Sequence, residues 1–449
     1  MKKTACLLMA LSLGITTLTG LPISKSFASS EKTYLVLFKD DSNLPKEYQK
    51  VIKQAGGNVK KELKKLGAVE VTTDNPNFLE EIKDSNLVQD VGVENRIQQE
   101  KAVDVEAFDE ESISSKGHDL YNKYQWDIKQ VTDNGESWNL PGGDGKSSDG
   151  QDIVIGIIDT GIDYTHPDIK ANYLYGKSFV PGIDDAMDED GHGTHVAGSI
   201  AANGRVMGIG PNLKLAAYRV FGPTGDAATA DIAAALMEAG NDNVDVVNMS
   251  LGGYDWYQDP ELATKDVVAD VRLFNRAITY AIKKGVTVVG SAGNANLDLS
   301  SPGQISKGNG GNGATHRSPS NQQLIRVASN GEAKNRAYYS NYGVGKIDVT
   351  APGGDYGLAW LETGDKSLRD PYKRCLSTVP GGYAWYIGTS MASPKTTAMA
   401  GVIIAQHGKD KLSPAQVKHI IQSTAIDINK PGYDEDSGFG LINAVNALK

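Results

Sequence analysis

The most restrictive feature of this sequence is the apolar run Ile153-Val154-Ile155-Gly156-Ile157-Ile158, which ends directly on the carboxylate Asp159. A continuous apolar run of this length marks a strand covered on both faces. Similar runs follow at residues 213–221, 244–249, 286–289 and 324–328, separated by helical stretches at 195–202, 226–239 and 273–283. That alternation predicts an α/β fold, a mainly parallel sheet between two layers of helices. Catalytic groups in such sheets collect at the carboxyl ends of the strands, which is where Asp159 stands. The length of 449 residues accommodates one large domain of this kind with appendages. With 40% hydrophobic and 22% charged residues, the chain is too apolar for disorder and too charged for a polytopic membrane protein. A formal charge of −10 argues against a nucleic-acid surface, and two cysteines exclude a disulfide framework.

The N-terminus carries an address. Met1-Lys2-Lys3-Thr4 is followed by an apolar stretch from Ala5 to Leu21 and by Ser26-Phe27-Ala28, a small-x-small pattern. Residues 1–28 therefore read as a secretory signal peptide, and the stretch is too interrupted by Gly14, Thr16, Thr17 and Gly20 for a transmembrane anchor. Cys6 lies in the segment to be removed, which leaves Cys375 as a structural thiol. No second segment of spanning length follows, so a released, extracellular protein is expected. From residue 33 to 97 the periodicity predicts strands at 34–38, 68–71 and 88–97 and helices at 46–55 and 77–85, a β-α-β-α-β order that fits a ferredoxin-like α+β module. Residues 98–116 hold Glu100, Asp104, Glu106, Asp109, Glu110 and Glu111 with little apolar periodicity, the composition of an exposed acidic linker and a natural place for a cut.

Three further segments carry chemistry. Asp159-Thr160-Gly161 by itself is ambiguous between a carboxylate closing a strand and one half of an aspartic-protease pair, but no second copy occurs. Asp190-Gly191-His192-Gly193-Thr194-His195 places two histidines three apart at a helix start; a zinc site would need a further ligand that the sequence does not offer. The flanking glycines point to His192 as the functional histidine, exposed at the helix N-terminus, with His195 a packed structural residue. Gly388-Thr389-Ser390-Met391-Ala392-Ser393-Pro394 opens an apolar helix, so Ser390 is either an N-cap or a nucleophile favoured by the helix's positive end. Taken together, Asp159, His192 and Ser390 supply an orienting carboxylate, a general base and an alcohol to be activated.

These motifs, Asp-Thr-Gly-Ile-Asp, His-Gly-Thr-His-Val-Ala-Gly and Gly-Thr-Ser-Met-Ala-Ser-Pro, resemble those of the subtilase family of subtilisin-like serine peptidases in the same chain order. The resemblance covers residues 121–449 and departs from the family at Lys395, where histidine commonly follows the proline. It implies a three-layer α/β/α domain that hydrolyses peptide bonds through an acyl-enzyme without a catalytic cofactor. It further implies that Asn294, in Ser291-Ala292-Gly293-Asn294, supplies an oxyanion-hole side chain; the plainer reading is an Asn suited to a tight turn. Ser250-Leu251-Gly252-Gly253 matches the edge segment that binds extended substrate by strand addition. Residues 29–100 match the family's propeptide, an inhibitor and folding template, with self-processing expected between Arg96 and Lys116 in a linker spanning 101–120.

The same resemblance implies a possible structural calcium, for which Asp168 matches a ligand position, although the loop after Ala202 is short. Expected partners are an extended peptide or protein substrate and the chain's own propeptide, with no nucleic acid, no stable membrane anchor and a monomeric state. Several details, including Asn248-Met249-Ser250-Leu251-Gly252-Gly253 and the Gly/Asn-rich loop at 300–320, resemble the lantibiotic leader peptidases, which cut a leader from a modified peptide, usually after Arg. Asp298 is a candidate partner for such an Arg, or simply a solvated loop residue. The alternatives are a broad-specificity extracellular endopeptidase and an inactive scaffold used for binding.

Overall fold

The computed structural model describes residues 31–109, 117–256, 266–301, 314–316 and 323–449. The signal peptide, Glu110, Glu111 and most of the loop at 300–320 lie outside the described residues.

Seven strands form the central sheet, in the order Val349–Pro352, Ile325–Asn330, Thr287–Ser291, Val246–Met249, Val154–Asp159, Lys214–Arg219, Tyr173–Ser178. Every pairing between them is parallel. Two of these strands, Tyr173–Ser178 and Val349–Pro352, went unread in the sequence. The first is an edge strand whose residues are only partly covered, and the second is four residues long. Ile155 and Ile157 pack on one face with Val196 and Ile200 of helix His192–Ala201 and with Ala398 and Val402 of helix Thr389–His407. Ile158, Tyr218 and Val247 pack on the other with Ile232 and Leu236 of Thr229–Asn241 and Phe274 and Ile278 of Asp266–Lys283. The architecture is thus the expected three layers, with Asp159 as the last residue of an interior strand next to the middle one.

The N-terminal module has one strand more than its periodicity predicts. Its order is Lys32–Phe38, helix Tyr48–Gln54, Asn58–Leu63, Ala68–Thr73, helix Phe78–Lys83 and Val88–Val93. Asn58–Leu63 was missed because its Lys and Glu side chains leave only Val59 and Leu63 as apolar markers. The four strands pair antiparallel in the order Asn58–Leu63, Ala68–Thr73, Lys32–Phe38, Val88–Val93. One face of this sheet is closed by its own helices, while Leu35, Leu37, Leu63 and Leu66 join the core under Thr229–Asn241 and Asp266–Lys283. Arg276 reinforces the junction by donating to the carbonyls of Leu66 (2.7 Å) and Phe38 (2.7 Å).

The described part of the acidic stretch, as far as Asp109, is not a free linker, and the last strand of the module does not run unbroken to Ile97. Arg96–Gln98 instead pairs antiparallel with Asp226–Ala228, a short strand at the start of what the periodicity predicts as helix. Asp104–Ala107 pairs antiparallel with Gly382–Ile387, making a third strand beside the hairpin Cys375–Val379 and Gly382–Ile387. Both partners are distant in sequence, so local patterning could not reveal them. Among the described residues no helix is long and apolar enough to cross a membrane.

Candidate active site

Asp159 closes the interior strand Val154–Asp159 and is fully buried; its Oδ1 accepts from His192 Nδ1 at 2.7 Å and from the Thr160 N–H at 2.8 Å. His192 is the first residue of its helix, held against the Asp159 turn by Gly193, whose N–H donates to Thr160 Oγ1 at 2.9 Å. A Cβ at position 193 would stand 2.1 Å from the Gly161 carbonyl oxygen, so only glycine permits this approach. The expectation that His192 is exposed is corrected. It is 2% exposed, and Glu100 lies close enough for the two charges to interact. Burial opposes its charged form, but Asp159, then Asp190 and Asp188, outweigh that and raise its pKa above the usual 6.5. Nε2, the other ring nitrogen, is buried and has no hydrogen-bond partner among the described residues.

His195, one turn on, is structural as expected. It stacks on Tyr386 at 4.2 Å, and Nε2 faces the carbonyls of Cys375 and Ala384, each at 3.2 Å. Burial and the nearby Lys395 cation push its pKa down to about 3, so it stays neutral.

Ser390 is the second residue of helix Thr389–His407. Pro394 falls inside that helix rather than in its first turn, and having no N–H it cannot bond the Ser390 carbonyl four residues back. Ser250 Oγ donates to that carbonyl instead at 2.9 Å, and accepts from Asn248 Nδ2 at 3.0 Å. Ser250 is therefore a buried support of the Ser390 turn. Leu251 is buried in the core, and Gly253 approaches Ile97, where a Cβ would lie 3.9 Å from its Cγ2. Asn294 is fixed by its Oδ1 accepting from Thr389 N and Thr389 Oγ1, both at 2.8 Å.

Residues 96–104 cross this cluster. The Gln99 N–H donates to Gly225 O at 2.8 Å, and its Nε2 donates to Asp190 Oδ1 at 2.9 Å. Ser390 Oγ lies 3.5 Å from the Glu100 carbonyl oxygen, Asn294 Nδ2 lies 3.5 Å from that of Lys101, and the Glu100 carboxylate accepts from Ser291 Oγ at 3.1 Å. The Val103 N–H then donates to Ile387 O at 2.7 Å. The Gly225–Ala228 edge that receives this segment went unread in the sequence; its only signal is Gly225-Asp226 ahead of Thr229.

Two expected ligands are placed elsewhere. Asp168 Oδ2 accepts from the Val206 N–H and from Tyr383 Oη, both at 3.0 Å, so its carboxylate serves as an internal acceptor. Calcium takes six to eight oxygens, and among the described residues no group of three or more His, Cys, Asp or Glu could hold an ion. The residues at Asp168 do not fit the ion. Asp298 accepts from Ser300 N (2.9 Å) and Oγ (2.5 Å) within its own loop, which is the solvated-loop reading. Cys375 is buried, with Lys395 Nζ 3.7 Å away, and burial raises its thiol well above the usual range, as suits an inert thiol.

Comparison with known proteins gives the family and the fold. The model of the subtilase family matches residues 150–440. The epidermin leader peptide-processing serine protease EpiP of Staphylococcus epidermidis is 30% identical over 359 residues, 74% of this chain and 75% of that protein. A crystal structure of EpiP from Staphylococcus aureus superposes with a TM-score of 0.77 at 26% identity, covering 93% of this chain and 99% of that one. The nisin leader peptidase NisP of Lactococcus lactis gives a TM-score of 0.61 at 27% identity over 74% of this chain and 94% of that one. Family match and fold agree: the chain belongs to the subtilase family, and it is a subtilisin-like serine peptidase that needs no catalytic cofactor.

Proposed function

We propose that the chain is the zymogen of an exported, monomeric leader-processing protease, with residues 1–28 as signal peptide, 29–100 as propeptide and 121–449 as peptidase domain. Asp159 orients His192, His192 takes the Ser390 proton at Nε2 as Oγ attacks, and the Asn294 amide binds the oxyanion. The observation that carries this reading is the course of residues 96–104, which lie in the cleft as a substrate would, with the Glu100 carbonyl beside Ser390 Oγ. The bond after Glu100 is the one to be cut in self-processing. Asn294 Nδ2 faces the next carbonyl, that of Lys101, so the segment must slide slightly before the oxyanion hole closes on the scissile one.

The choice of a leader peptide as substrate rests on the likeness to EpiP and NisP, whose names give that role. Asp298 gives no support to an Arg-selecting pocket, and calcium has no place at Asp168. The test is to incubate purified 32–449 and its Ser390→Ala variant and to map the new N-terminus. Self-cutting at Glu100–Lys101 by the serine form alone is the expected result, and two intact chains would refute the zymogen reading. A lantibiotic precursor should then be cut at one bond while casein stays largely whole; extensive casein digestion would favour the broad-specificity alternative.

A further inference from the structure

Arg374 is 2% exposed, and two of its guanidinium nitrogens pair with carboxylates of the segment lying across the cleft. Its Nε donates to Pro371 O at 2.9 Å, fixing the guanidinium plane, while Nη1 donates to Asp104 Oδ2 at 3.0 Å and Nη2 to Glu106 Oε2 at 2.8 Å. Strand alternation explains the pattern: Asp104 and Glu106 share one face, and Val105 between them is 54% exposed. The strand itself is held by the backbone of Gly382–Ile387, which would accept other peptide sequences as readily. If residues 101–107 leave, Gly382–Ile387 becomes a free edge with a pre-oriented guanidinium beside it. A guanidinium held in one plane by the Pro371 carbonyl selects for a carboxylate.

We infer that Arg374 is a specificity-determining residue that recognises acidic side chains on the C-terminal side of the cut, at the fourth and, more weakly, the sixth residue beyond the bond. The fourth dominates because the Asp104 carboxylate is less exposed than that of Glu106, at 33% against 63%. The inference rests on the reading of Glu100–Lys101 as the scissile bond. The preferred substrate is thus an extended peptide whose released portion begins with a short acidic stretch.

The test uses the full chain after self-processing and two fluorogenic peptides. One copies residues 95–109; its twin carries Asp104→Asn and Glu106→Gln. The expected result is a kcat/KM about 10- to 100-fold higher for the acidic peptide, the size of one or two charge-assisted hydrogen bonds, expressed mainly in KM. High salt should narrow the gap. Arg374→Glu should invert the ratio in favour of a twin with Asp104→Lys and Glu106→Lys. Equal cutting of the acidic and neutral peptides by the native enzyme overturns the inference while leaving the peptidase reading intact. Cutting of neither refutes both. The native comparison stands even where a variant at Arg374 fails to fold.

Discussion

Within the Asp159–His192 pair the carboxylate does two things: it orients the ring through a 2.7 Å bond and holds its pKa above 6.5 despite burial. His192 must be neutral to accept the Ser390 proton, so self-cutting should slow about tenfold per pH unit below that raised pKa, with a midpoint above 6.5. Asp190→Asn, which removes a charge that favours the cation, should move the midpoint down; a pH series of zymogen cutting rates measures both, and an unmoved midpoint would contradict the assignment. Asn294→Ala should lower the turnover of self-cutting by about 10²–10³. It also strips Thr389 N and Oγ1 of their shared acceptor, so a melting curve alongside the rate separates the catalytic loss from the structural one.

Among the elements, helix Thr389–His407 bears the most. Its buried face includes Lys395, where the family commonly has histidine, and the ammonium pairs with Asp127 at 2.8 Å with both side chains almost fully buried. Asp127 lies on helix Trp126–Thr132, so this pair ties the Ser390 helix to a helix far earlier in the chain. Removing one member leaves the other charged in a dry site, which typically costs about 3–5 kcal/mol, whereas replacing both with apolar residues is often near neutral. Lys395→Met should therefore destabilise the Ser390→Ala zymogen by about that amount in urea unfolding, and Lys395→Met with Asp127→Leu should recover most of it.

Across the whole molecule, the junction of the N-terminal module with the helices beneath it buries carboxylates of both parts together. Glu94 donates no charge to balance them; its Oε1 accepts from the Ala230 N–H at 2.9 Å, and Asp270 accepts from Asn95 beside it. Burial first, then Glu70, Asp270 and Asp231, push the Glu94 pKa from 4.5 up to about 8. A carboxyl whose pKa is raised on assembly binds more protons there than when the chain is unfolded. Stability consequently falls as pH rises from about 4.5 to about 8 and levels off beyond. The melting temperature of the Ser390→Ala zymogen should drop between pH 5 and pH 8, and Glu94→Gln should flatten that drop; identical slopes would remove Glu94 from the account.

What the sequence determined by itself was the local chemistry. Apolar runs ending in Asp159 declared a doubly covered parallel sheet, glycines around His192 declared a close backbone approach, and the three motifs declared a serine peptidase. These are short-range signals, written in adjacent residues. Tertiary structure alone decided which carbonyl lies against Ser390, that Ser250 supports the Pro394-interrupted turn, that Asp168 accepts internal hydrogen bonds, and that Arg96–Gln98 and Asp104–Ala107 pair as strands on either side of Ser390. Asp104 and Arg374 are 270 residues apart and meet only because an edge strand was free to pair. Hydrogen bonds and ion pairs of that kind are set by geometry after the core has formed, so no local pattern encodes them.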